Sequence, residues 1–172
     1  MSRSISTQLI AFLVGNLPLS DFEQWIYQTP ELRHVMAATD YEVMMSINFQ
    51  QTEAPSLLNR LLRGYIDWAQ YEKEQLSELL MAIIWKDDVV SALIRAYEQH
   101  ANGLIFLHVL GVDYGLMMLT TAGATARQEE LLTAIYPKAR EEAKRLLTRL
   151  VSGNITFTGT YTPEGHPEYR ER

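Results

Sequence analysis

Cysteine is missing from all 172 residues. That absence excludes a disulfide scaffold, a thiol nucleophile and any cysteine-held zinc or iron–sulfur centre. It fits a reducing compartment. Long apolar runs are missing too. The apolar stretch at residues 9–14, behind a single Arg3, is too short to span a bilayer and carries no small-residue cleavage pattern. The chain therefore reads as cytoplasmic, with no membrane partner. No G-x-S-x-G elbow, Walker loop or G-x-G-x-x-G turn occurs. Serine-hydrolase and nucleotide-binding readings lose their support. Positive charge is scarce as well, with a net charge of -6. A nucleic acid is disfavoured as the main ligand, because phosphate contacts need a basic face.

The charge is unevenly spread. Residues 16–59 hold six acids (Asp21, Glu23, Glu31, Asp40, Glu42, Glu53) and one base, Arg33. Residues 136–151 hold five bases and two acids. Solvated helix faces are the simpler reading. The sharper one is an acidic surface that steers a basic partner.

What is present is mostly helix signal. With 47% hydrophobic and 21% charged residues, the chain can bury a real core. Residues 5–14 read as a helix stopped by Gly15-Asn16 and Pro18. Ser20-x-x-Glu23 has the spacing of a capping box, in which each side chain bonds the other residue's amide. Thr29-Pro30-Glu31 is a second start, with Thr29 as cap. Thr39-x-x-Glu42 is a third. Three short helices are thus expected over residues 20–49. In the first, Phe22, Trp25 and Ile26 share a buried face and Tyr27 points elsewhere. Pro55 starts a helix with Leu57, Leu58, Leu61 and Leu62 inward. Another follows Asp67-x-x-Gln70. Asp87-Asp88 caps the next, which is expected to run through His108 to a stop at Gly111. Residues 111–126 are the least helical part of the middle. Thr125-x-x-Gln128 caps a helix that ends at Tyr136, and Pro137 begins a new one that stops at Gly153.

The end of the chain changes period. Ile155-Thr-Phe-Thr-Gly-Thr-Tyr161 alternates in the two-residue rhythm of a strand. Pro163-Glu-Gly-His166 is turn chemistry, and Pro167 to Tyr169 can return as a second strand. The expected fold is mainly α: a compact multi-helix domain, residues 1–153, with a C-terminal β-hairpin, residues 154–172, docked on it as one domain. An isolated hairpin is marginal in water, so it must dock.

Candidate chemistry is thin. On one continuous helix His100 and His108 lie about two turns apart and about 80° around the axis, too far to share a metal. Asp87-Asp88 reads as a cap rather than an acid/base pair. Glu74 and Glu78 lie one turn apart on what reads as a solvated face. Met44-Met45 and Met117-Met118 read as core. Gly111-x-x-x-Gly115 reads as tight backbone geometry in a turn. No catalytic residue, cofactor or metal is expected. The one dispersed pocket worth considering gathers Tyr97, His100, His108 and Tyr114.

Several stretches together carry a resemblance. "DFEQWIYQTPEL" at 21–32, "TDYEVMMSINFQ" at 39–50, "YIDWAQYEKEQLSELLMAIIWKDD" at 65–88, "GVDYGL" at 111–116 and "YPKAREEAKRLLTRLVSGNITFTGTY" at 136–161 run in an order similar to small bacterial proteins of polymorphic-toxin immunity loci. The resemblance covers most of the chain and carries over no catalytic residue. It implies a cytoplasmic binding protein that neutralises a cognate toxin by direct contact, the partner being a basic toxin domain. The contact surface would draw on Asp21, Glu23, Tyr27, Glu31, Asp40, Tyr41 and Glu42. Two other readings stand beside it. One is a small-ligand protein or enzyme built around His100, His108 and Tyr114. The other is a subunit of a larger assembly whose terminal hairpin extends a neighbour's sheet.

Overall fold

Apolar residues recurring three and four apart give nine α-helices among the described residues, and the alternating tail gives two strands. The computed structural model describes residues 3–123 and 125–172. The helices are α1 (Arg3–Leu13), α2 (Leu19–Gln28), α3 (Leu32–Val35), α4 (Ala38–Ser46), α5 (Ala54–Leu62), α6 (Trp68–Trp85), α7 (Val89–Ala101), α8 (Leu116–Thr120) and α9 (Thr125–Val151). A wide, π-type helical turn, Val109–Gly115, leads directly into α8. β1 (Ile155–Tyr161) and β2 (Pro167–Glu171) close the chain as an antiparallel hairpin. The contacts divide into two units, Met1–Asp67 and Trp68–Arg172.

In the first unit the short helices are held by packing, since none is long enough to persist alone. Leu9, Phe22, Ile26, Leu32, Met44, Leu58 and Leu62 are sealed from solvent. Phe22 stacks on Phe12, ring centroids 4.0 Å apart and 7° from parallel. The stop after α1 forms as expected: Gly15 takes φ +83°, and the Asn16 amide donates to the Ala11 carbonyl at 2.7 Å. On α5, Leu58 and Leu62 face inward while Leu57 stays exposed and Leu61 half-buried, a narrower stripe than four leucines suggest.

The expected caps of this unit are corrected. α2 begins at Leu19 with Pro18 at the cap position, two residues before Ser20, so the Phe22 amide bonds the Pro18 carbonyl and the Ser20 hydroxyl turns to Asp21. Thr29 looks backward: its hydroxyl donates to the Trp25 carbonyl at 2.7 Å, closing α2 instead of opening α3. α4 begins at Ala38, so Thr39 lies inside the helix, with Ala37 at the cap position.

In the second unit the core is Leu76, Leu79, Leu80 and Ile83 of α6, Leu93 and Ala96 of α7, Met118 of α8, and Ala139, Ala143, Leu146 and Leu150 of α9. One methionine of each pair, Met44 and Met118, is fully buried and its neighbour is half-buried. Asp88 caps α7 as its position suggests, accepting from the Ser91 amide at 3.4 Å. It does so from φ +44°. The Thr125 side chain, an expected cap of α9, lies outside the described part.

Three boundaries differ from the sequence reading. α7 ends at Ala101, and Gly103 (φ +98°) reverses the chain before Leu104. Residues 111–115, read as a turn, are helical, and the helix continues through Thr120. They run back along α7 at close range: a Cβ on Gly111 would lie 2.8 Å from the Ala96 carbonyl oxygen, and one on Gly115 would collide with the Leu93 carbonyl oxygen. Close approach is thus the role of both glycines, between helices rather than within a turn. Finally, α9 runs unbroken through Pro137. A mid-helix proline costs about 3 kcal/mol, and the buried Ala139, Ala143, Leu146 and Leu150 stripe on the same helix outweighs it.

The hairpin docks on these helices. Ile155 and Phe157 are buried, and the pairing is irregular between Phe157 and Tyr161. Gly159 sits there with φ +78°, where a Cβ would press within 3.3 Å of the Ala69 amide nitrogen. At the start of α6 the Tyr161 hydroxyl donates to Glu72 at 2.6 Å, and its ring meets Trp68 edge-on at 5.9 Å. At the other end of α6 the Ile84 carbonyl accepts from the Arg140 guanidinium at 3.0 Å and the Tyr136 hydroxyl at 3.3 Å. Those donors satisfy a terminal carbonyl that the helix itself leaves open.

Gly115→Ala has no room beside Leu93 and should destabilise the chain by about 1–3 kcal/mol, read as a lower urea midpoint. Burial raises the Glu72 pKa, and the Tyr161 hydrogen bond only partly counters that. A raised carboxyl pKa adds stability at low pH that is lost as pH rises through the raised value. Glu72→Gln keeps an acceptor for Tyr161 without the half-buried charge. It should raise the melting temperature at neutral pH, with the gain shrinking as the pH falls towards 4.

Candidate functional site

The acidic stretch of the first unit supplies one candidate surface. On α2, Phe22 and Ile26 point inward. Tyr27, about 100° beyond Ile26, is left 56% exposed. Its ring is not loose: it leans on the buried Phe49, centroids 6.3 Å apart and tilted by 59°. Glu23 lies one turn before Tyr27 on the same side of the helix and is half-buried. Asp21 is exposed, about a third of a turn away from Tyr27 around the axis. Tyr27 and Glu23 therefore form one stripe, and Asp21 flanks it.

Glu31 and Trp25 meet in a different place. Trp25 is half-buried, not sealed with Phe22 and Ile26 as its spacing suggests. It walls a cavity of about 470 Å3 together with Ser4, Ile5, Thr29, Glu31, His34 and Val35. His34 accepts from the Arg33 guanidinium at 3.1 Å, so the one base of the stretch is turned onto its neighbour.

The third cluster, on α4, divides by role. Asp40 is engaged internally. The Tyr65 hydroxyl donates to its carboxylate at 2.6 Å and accepts from the Ala37 amide at 3.0 Å. Asp40 is the third helical residue and Ala37 the cap. In a capping box the third-residue carboxylate would bond the cap amide directly. Here a tyrosine from 25 residues downstream stands between them. The Asp40 carboxylate pushes the Tyr65 pKa up, because a tyrosinate would lose the hydrogen bond it donates; burial adds to the shift. Tyr41 is half-buried, while Glu42 is exposed beside Val43, itself 51% exposed. Val43, Ile47, Leu57, Arg60 and Leu61 line an apolar groove of about 200 Å3. The uneven pattern of α5 leucines hints at this groove, because Leu57 and Leu61 are the two that do not reach the core.

The second unit holds the other candidate. The chain reversal at Gly103 brings His100 and His108 together: His100 Nε2 lies 3.1 Å from His108 Nδ1, ring centroids 5.2 Å apart. This corrects the separation expected from a continuous helix. His100 is half-buried and His108 exposed. Burial pulls the His100 pKa down, and the neighbouring imidazole adds to that. Tyr97 lies where the 109–115 segment passes α7, its Cβ and Cα beside Gly115 and Gly111. Tyr114 packs against the core, and its pKa is raised by burial first and then by Asp113 and Glu142.

One exposed aromatic escaped the sequence reading. Trp85, at the end of α6, is 75% exposed. Glu74, Glu78, Met81 and Trp85 lie on the helix face opposite the core stripe. The periodicity that marks Leu76, Leu79, Leu80, Ile83 and Ile84 as core already places Trp85 off that stripe.

Among the described residues no three His, Asp or Glu side chains gather as a metal-binding group, and no helix is long and apolar enough to cross a membrane. Comparison with protein-family models, curated proteins and solved structures gives no match.

The Tyr65 bridge is testable. Tyr65→Phe removes one hydroxyl and leaves the ring. It should cost about 1–2 kcal/mol in chemical denaturation, the scale of a lost cap or buried hydrogen bond. Asp40→Asn combined with it should cost less than the sum of the single changes, because both act through one interaction.

Proposed function

We propose that this chain is a non-catalytic inhibitory binding protein, most concretely a bacterial immunity protein that neutralises a cognate toxin in the cytoplasm by direct contact. One observation carries the reading: Tyr27 stands exposed on a buried Phe49 within a stretch of six acids and one base. A large aromatic held against the core loses little entropy on binding, which makes it a good anchor. Carboxylates around it attract a basic partner and speed encounter. Asp21, Glu31 and Glu42 are exposed carboxylates, and Glu23 is half-buried on the same stripe as Tyr27. Asp40 and Tyr41 serve the fold of α4 more than the surface. The expected partner is a basic toxin domain, such as a nuclease.

The experiment is co-expression with the toxin encoded beside the gene, followed by co-purification and growth rescue. Tyr27→Ala should weaken binding by about 2 kcal/mol, roughly 30-fold in Kd, with the fold intact by circular dichroism. Glu23→Lys with Glu31→Lys should lower the association rate and flatten its salt dependence. An unaltered chain that neither binds nor protects would sink the reading. The contact between His100 and His108 keeps a second reading, a ligand site in the other unit, worth pursuing.

A further inference from the structure

We propose that His100 and His108 together bind a late first-row transition-metal ion, Cu2+ or Ni2+, as a two-imidazole chelate completed by water. The inference is independent of the immunity reading, because it uses a different unit of the chain. The ligating atoms are His100 Nε2 and His108 Nδ1, 3.1 Å apart. Two nitrogens each about 2.0–2.1 Å from one ion, and at right angles or slightly wider, lie roughly 3 Å apart. The pair is thus spaced as adjacent ligands of one ion.

The spacing is built into the backbone. His100 lies in the last turn of α7, and His108 sits at the cap position of the segment that returns along it. Gly111 and Gly115 clamp that segment to α7 with no space for a Cβ. Gly103 makes the reversal at φ +98°. Without metal, one imidazole N–H is shared between the rings. On metal binding the donor ring moves its proton to its other nitrogen, so both facing nitrogens present lone pairs and no net proton is released. His108 is exposed, and its terminal torsion is broad, so its ring can turn from its partner towards a common ion.

The site is of a particular kind. Among the described residues no third His, Asp or Glu completes a closed set, so a structural zinc site with four protein ligands does not fit. Imidazole ligands with open, water-filled positions suit tetragonal Cu2+ or Ni2+, and Cu2+ heads the affinity order. His166, whose Cβ lies beside Gly103, stays outside the pair.

The test is titration of the whole chain with Cu2+ alone at neutral pH in a weakly coordinating buffer, followed by electron paramagnetic resonance. The expected result is one high-affinity site whose hyperfine pattern reports two nitrogens. His108→Ala and His100→Ala should each leave one nitrogen and weaken binding about 10–100-fold or more, at least the loss typical of outer-shell partners. His34→Ala and His166→Ala should leave the site unchanged. Should His100→Ala fail to fold, the exposed His108→Ala carries the same test, its fold checked by its metal-free melt. Binding that keeps its full affinity in His108→Ala belongs to another group, such as the chain amine, and overturns the proposal. So does a spectrum of the unaltered chain without two imidazole nitrogens.

Discussion

The second unit is organised by a lack of room. Where residues 109–115 pass α7, a Cβ on Gly115 would strike the Leu93 carbonyl oxygen, and one on Gly111 would crowd Ala96 and Tyr97. Only glycine lets two helical backbones approach so closely. From that contact follows the return path of the chain after Gly103. The return path in turn sets the burial of Leu110 and Met118 and the meeting of His100 with His108.

The first unit solves a related problem with side chains. Its helices are four to eleven residues long and depend on packing for their existence. Their starts lack local side-chain caps at α2, α3, α4 and α5. Tyr65 supplies part of the missing help, tying the start of α4 to the 3-10 turn at residues 63–65. The acids that remain outward are those the fold does not need. A surface for a partner can be built only from such residues.

Much of the fold was legible because its signals are local. The stop at Gly15, the start near Pro55, the Asp88 cap and the alternation of residues 155–161 each involve neighbours in sequence, and each stands in the structure. The capping boxes at Ser20 and Thr39 were misleading for a physical reason. A short hydroxyl side chain caps only at the right position, and the cap positions of both helices lie two residues earlier, at Pro18 and Ala37. Pro137 was misread because a local penalty was judged without the buried stripe beyond it. Tyr27's outward position followed from spacing alone. The Asp40–Tyr65 bridge and the histidine contact did not, since both depend on where a chain reversal brings distant residues.

α6 is fastened at both ends by groups far along the chain. The Tyr161–Glu72 bond joins residues 89 apart, and the Arg140–Ile84 bond joins residues 56 apart. A helix forms locally in well under a millisecond, but its covering must wait for those long loops to close. Loop closure costs more entropy with length, and nothing is gained until both ends meet. α6 is therefore an early helix with a late coat. Until the hairpin and α9 arrive, the part of the α6 leucine and isoleucine stripe that α7 leaves bare lies open to water and to any chaperone or neighbouring chain that can cover it.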